Sequence, residues 1–197
     1  LKGAAFSSQH IGALYLKMGK SREAILAFRE GLRIGKDLAN LQTQMESLLG
    51  LIHGHADLHE LDNARQAWKE ADEIAGTMNE AGYRFLVPLE RGKLESKCGQ
   101  PTTALVYYQK ALEEANRQAN ILFQVAAYTG MADSYADQQE WKEAQTCYQQ
   151  MLEMGKKGNL PLPQKMAHAK LGDLYLLQNK IGEAKETFNL LLDLAAD

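Results

Sequence analysis

Proline is scarce in this chain, with four in 197 residues. A proline removes a backbone donor and breaks a helix interior, so its scarcity suits a mostly helical protein. Cysteine is scarcer still: Cys98 and Cys147 form no metal-ligand pair and suit a reduced, cytoplasmic chain. A basic excess is missing. The net charge is −3 and the isoelectric point is near 6.0, which argues against a general nucleic-acid binder. No run of 18 apolar residues exists to span a bilayer, and no secretory leader is visible. Phosphate-cradling glycine loops and nucleophile elbows are also missing, so catalysis is not expected and neither is a cofactor. The chain starts at Leu1, inside its own pattern, and is expected to be a piece of a longer one.

What the chain does have is a period. Alanines stand 40 residues apart at Ala24, Ala64, Ala104, Ala144 and Ala184. Four residues after each comes an aromatic: Phe28, Trp68, Tyr108, Tyr148 and Phe188. Seven further on comes a small residue: Gly35, Ala75, Ala115, Gly155 and Ala195. A fixed period of this length marks a repeat array, in which each repeat contacts only its neighbours. The array fills 1–197 as one domain, with repeats at about 5–44, 45–84, 85–124, 125–164 and 165–197.

Each repeat reads as a pair of amphipathic helices. In the first, Ile11, Leu14, Tyr15 and Met18 recur at helical spacing and predict a buried face. Gly19 ends that helix, and Ser21 is placed to cap the next. Pro88 is expected in the first turn of its helix, and Pro101 at the start of another. The stretch 156–163, with Gly158-Asn159 and two prolines, predicts a longer loop between repeats. Position 12 and its equivalents read Gly12, Ile52, Gly92, Ala132 and Gly172. Small residues there let the two helices of a hairpin approach closely, while the aromatic column fills the space between hairpins. The last stretch, 190–195, is almost wholly apolar and predicts either a further helix beyond it or self-association there.

The pattern resembles the tetratricopeptide repeat, best at Leu14-Tyr15 with Ala24 and Phe28, at Tyr135 with Ala144 and Tyr148, and at Leu171-Gly172 with Tyr175, Ala184 and Phe188. HEAT repeats share the 40-residue period, but the small–aromatic–small order fits the tetratricopeptide pattern better. Repeats two and three depart from it: Ile52 and His55 stand where glycine and tyrosine are usual, and Arg91 and Glu95 where apolar or aromatic residues are usual. These two repeats are expected to pack atypically or to turn polar groups toward a ligand.

The resemblance implies an all-α, right-handed superhelical array of antiparallel helix hairpins. It also implies a concave groove lined by the first helix of each repeat. Carried over repeat by repeat, the groove positions are Gln9, Ala13 and Lys17; Leu49, His53 and Asp57; Leu89, Lys93 and Lys97; Thr129, Asp133 and Asp137; and Ala169, Asp173 and Leu177. The third repeat is basic there and the fourth acidic. The implied function is a protein- or peptide-binding scaffold, with no direct contact to nucleic acid or membrane. The rivals are a ligand- or peptide-sensing regulatory domain of a larger signalling or transcription protein, and an oligomerisation scaffold. The family's carboxylate clamp needs an asparagine beside its basic residues, and none accompanies Lys93 and Lys97. His53, His55 and His59 lack a third ligand on one face and are not expected to hold a metal; His55 is expected to replace the buried tyrosine.

Overall fold

The computed structural model describes residues 2–78 and 80–196. Ten helices make up the described chain, and no strand occurs among those residues. They are α1 (Lys2–Lys17), α2 (Ser21–Asp37), α3 (Leu41–Asp57), α4 (Leu61–Thr77), α5 (Ala81–Lys97), α6 (Pro101–Arg117), α7 (Ile121–Asp137), α8 (Trp141–Lys157), α9 (Pro161–Leu177) and α10 (Ile181–Ala196). Three-residue linkers join them. The helices form two compact units, 1–100 with α1 to α5 and 101–197 with α6 to α10.

Eight of the linkers share one geometry. Their middle residue adopts positive φ at Gly19, Ala39, His59, Gly99, Ala119, Gln139, Asn159 and Asn179. The residue after it donates its N–H back to the carbonyl five positions earlier, as in Lys20 to Tyr15 and Asn40 to Gly35. The middle residue donates to the carbonyl three positions earlier, as in Gly19 to Leu16. This double bond pattern is the Schellman motif, which satisfies the last carbonyls of a helix and turns the chain sharply.

Three local expectations are corrected here. The 156–163 stretch is not a longer loop: Gly158 to Leu160 form a linker like the others, and Pro161 opens α9, where its missing N–H is tolerated. Pro88 lies inside α5 rather than in its first turn. Ser21 is buried at the first helical position of α2 and caps nothing; Lys20 precedes it without a side-chain cap bond. Asparagine caps do occur at α3 and α7, where Asn40 and Asn120 accept from the N–H of Thr43 and Phe123.

The alanine column is wholly buried in both units. In the first unit, Phe28 lies between two glycines. A Cβ added to Gly12 would stand 2.8 Å from its ring, and one added to Gly50 would collide with it. Across α2 and α3, Gly35 faces Gln44, Gly31 faces Ser47 and Gly54 faces Ile25, so the two helices run antiparallel. In the second unit, Gly130 receives Tyr108 and Gly172 receives Phe188 in the same way. Gly12 and Gly172 thus receive the aromatic ring of the next helix, and Gly50 and Gly130 that of the preceding one. The side chain of Ala195 lies outside the described residues.

The face expected to be buried on α1 is covered only at Tyr15, which packs against the core. Ile11, Leu14 and Met18 are exposed. Their counterparts are covered: Leu51 on α3 is in the core and Leu58, just after that helix, packs against it, because α2 covers α3 and no described helix covers that side of α1.

Candidate functional site

The first helices of the repeats carry a charged cleft in each unit. In the first unit, α3 and α5 enclose about 280 Å³ between Ile52, His53, Asp57, Glu90, Lys93 and Lys97. Glu90 stands in the column that holds Gly50 and Gly130, and it is 5% exposed. His53 Nε2–H donates to its carboxylate at 2.5 Å, and the Lys93 ammonium donates at 2.7 Å. Burial pushes the Glu90 carboxyl up, but the bonds and charges of His53 and Lys93 outweigh it and hold its pKa below the ordinary value. Lys97 donates to Asp57 at 2.8 Å. The cations of this cleft are therefore matched by anions within it.

In the second unit, α7 and α9 enclose about 360 Å³ between Asp133, Asp137, Lys170, Asp173, Leu174 and Leu177, with Tyr148 of α8 behind. Tyr148 Oη–H donates to Asp133 at 2.5 Å, and Lys170 donates to both oxygens of the same carboxylate at 2.9 and 3.0 Å. Burial and the Asp133 acceptor both push the Tyr148 pKa up, so the phenol stays protonated as a donor. Asp137 and Asp173 are exposed and have no ion-pair partner among the described residues.

The sequence-predicted positions divide accordingly. His53, Asp57, Lys93 and Lys97 meet in the first cleft, and Asp133, Asp137 and Asp173 in the second. Leu89 does not offer apolar contact to a ligand, because it is 4% exposed and spent on the core. Leu49 is half-buried against that core. Thr129 is half-buried, and its hydroxyl donates to the Val125 carbonyl and lies 3.5 Å from the sulfur of Met151. The basic character expected of the third repeat is offset by Glu90 and Asp57. Sequence reasoning missed Glu90 and Lys170. The signal was a column that reads Gly50, Glu90, Gly130, Lys170, in which glycine and charge alternate.

The departures of repeats two and three are matters of packing. His55 is buried and donates from Nδ1 to Glu60 at 2.6 Å. Glu95 is 3% exposed and accepts from Arg91 at 2.8 Å and Arg65 at 3.2 Å. The Arg91 guanidinium lies 4.7 Å from the centre of the Trp68 ring, and Trp68 Nε1–H donates to the Val87 carbonyl at 2.8 Å. These groups fill the space that apolar side chains fill elsewhere. Among the described residues, no group of three or more His, Cys, Asp or Glu is placed to hold a metal ion.

Tetratricopeptide repeat models match the sequence at 7–37, 127–162 and 167–197. The chain belongs to the tetratricopeptide repeat family. Repeats two and three, where His55, Arg91 and Glu95 replace the usual residues, lie outside those matches. No curated protein sequence matches the chain.

Solved structures share the fold. A signal transduction ATPase with numerous domains and a tetratricopeptide repeat sensor, from Pyrococcus horikoshii, superposes with a TM-score of 0.84 at 18% identity over 98% of the chain. The chain spans 30% of that protein's length. The nearly identical repeats of a putative kinesin light chain from Podosopora anserina give a TM-score of 0.80 at 14% identity, covering 100% of this chain and 97% of theirs. A Rap protein in complex with competence and sporulation factor gives 0.70 at 11% identity, covering 99% of this chain and 64% of the other. At these identities the tetratricopeptide likeness is one of fold.

Proposed function

We propose that the chain is a protein- or peptide-binding module that uses the first-helix faces of its repeats. The observation that carries this reading is the convergence of the predicted columns on two clefts. Helices held by close glycine–aromatic contacts present their side chains preorganised, so little ordering is needed on the receptor side when a segment binds. The contact residues in this reading are His53, Asp57, Lys93, Lys97, Asp133, Asp137 and Asp173, with Leu49 and Thr129 at their edge. A Rap protein held with competence and sporulation factor, and a tetratricopeptide sensor on a signalling ATPase, illustrate the use of this fold for ligands and for sensing. The same likeness favours a second reading, in which the module senses a ligand for a larger chain. No helix among the described residues is long and apolar enough to cross a membrane. The free thiols of Cys98 and Cys147 suit a cytoplasmic module.

Site-specific photo-crosslinking tests the reading. A benzophenone side chain replaces Ala13 or Thr129 on the first helices, or Val106 on the exposed face of α6. Crosslinks to a protein partner are expected at the first two positions. Crosslinks at Val106 alone would move the site to the opposite face.

A further inference from the structure

The two clefts differ in what they leave unsatisfied. The first unit has thirteen Lys and Arg against thirteen Asp and Glu, while the second has nine against twelve. The whole net charge of −3 therefore sits in the second unit. Within its cleft, Lys170 is committed to Asp133, and Asp137 and Asp173 remain open to solvent.

The same helix faces change character toward their N-terminal ends. Side chains at steps of three and four share a face. Stepping back from Asp133 through Thr129 and Ala126 on α7 leads to Leu122, which is 58% exposed. From Asp173 through Ala169 on α9 the same steps lead to Met166 and Leu162, which are 36% and 63% exposed. The face of α7 and α9 is thus apolar at one end and acidic at the other. In the first unit the matching positions on α3 are Gln42 and Glu46, and its lower charges are already paired.

We infer that the second unit is the selective half of the module, and that it takes a protein segment carrying Lys or Arg at one end and large apolar side chains at the other. This deepens the binding reading above and rests on it. The cations would meet Asp137 and Asp173, and the apolar side chains would cover Leu122, Leu162 and Met166. Leu162 and Asp173 are eleven helical positions apart, about 16 Å at 1.5 Å per residue. An extended segment covers that distance in about five residues. Charge complementarity would set orientation and the rate of encounter, and the apolar end would add burial.

Selection of random twelve-residue peptides displayed on phage against the whole chain tests this. The recovered peptides are expected to pair Lys or Arg with Leu, Met or Phe about five residues away. Their binding should weaken as salt rises, and should fall at least tenfold with Asp137→Lys and Asp173→Lys together. Leu162→Ser with Met166→Ser should also weaken it, and Lys93→Glu with Lys97→Glu should weaken it less than the aspartate pair does. All of these positions except Met166 are well exposed, and circular dichroism checks that each variant keeps its helices. Acidic peptides that depend on Lys93 and Lys97 instead would overturn the inference and leave the binding reading standing. Peptides indifferent to both pairs of charge changes, or no peptides at all, would overturn both.

Discussion

Glycine at two positions of the last repeat shows how packing decides the sign of a substitution. Gly172 and Gly182 both lie in helices, where alanine is better than glycine by about 1 kcal/mol. A Cβ on Gly182 meets nothing within 4 Å, whereas one on Gly172 would stand 2.5 Å from the Phe188 ring. Gly182→Ala should therefore raise the denaturant midpoint, by about 0.5–1 kcal/mol. Gly172→Ala should lower it by about 1–3 kcal/mol, the usual range for overpacking. A stabilising Gly172→Ala would mean that the ring is not locked against α9. His168 supplies a second residue-scale test. It is 7% exposed, and its Nδ1 has no hydrogen-bond partner. Burial first, and the Lys156 charge second, lower its pKa. The unfolded chain then binds more protons than the folded one below the unfolded value of about 6.5, so this residue's contribution is full above that pH and is lost as pH falls from there through the lowered folded value. His168→Phe should reduce the difference in melting temperature between neutral and mildly acidic buffer. An unchanged difference would place the acid sensitivity elsewhere.

At the scale of elements, the linkers hold stability that the sequence does not use. Ala39 and Ala119 adopt φ of 49° and 48° at the middle linker position, where Gly19 and Gly99 stand elsewhere. The left-handed conformation costs a residue with a Cβ about 1–2 kcal/mol, and glycine avoids it. Ala39→Gly and Ala119→Gly should each stabilise the chain by about 1 kcal/mol in chemical denaturation, because the Schellman bonds are kept. Destabilisation by either change would show that the alanine methyl is needed for packing. Helix identity was legible at this scale from the 40-residue columns and the 3.6-residue periodicity. Helix ends were legible only where glycine marked them. At Ala39, His59 and Gln139 the backbone turns without a residue type that announces it, because satisfying the last carbonyls outweighs local preference. The prolines at 161 and 163 misled for a related reason: proline ends a helix when it follows one, and opens a helix when it stands in the first turn.

For the molecule as a whole, the exposed apolar residues of α10 give a prediction about assembly. Ile181, Leu190 and Leu192 are 59%, 52% and 66% exposed, while Leu191 and Leu194 are half-buried. Exposed apolar side chains of this kind are candidate contacts between copies of the chain. Sedimentation velocity should show an average mass that rises with concentration, and Leu190→Ser with Leu192→Ser should abolish the rise while helicity stays the same. A mass independent of concentration would count against self-association and leave the clefts as the sites of interaction.

The sequence by itself determined the repeat, its 40-residue period and the helical character of each half-repeat. Those properties follow from spacing, and spacing is visible in one dimension. Only the tertiary structure decided which charges in the predicted groove columns are free. Lys93 and Lys97 resemble Asp137 and Asp173 as isolated charges on helix faces, yet Lys93 finds Glu90 one turn back on its own helix, Lys97 finds Asp57 across the cleft, and the aspartates find no ion-pair partner among the described residues. Leu89 likewise reads as a groove residue by column and is core by burial. A side chain's availability depends on what the neighbouring helix places within a few ångströms of it, and that is set by packing between segments some 40 residues apart.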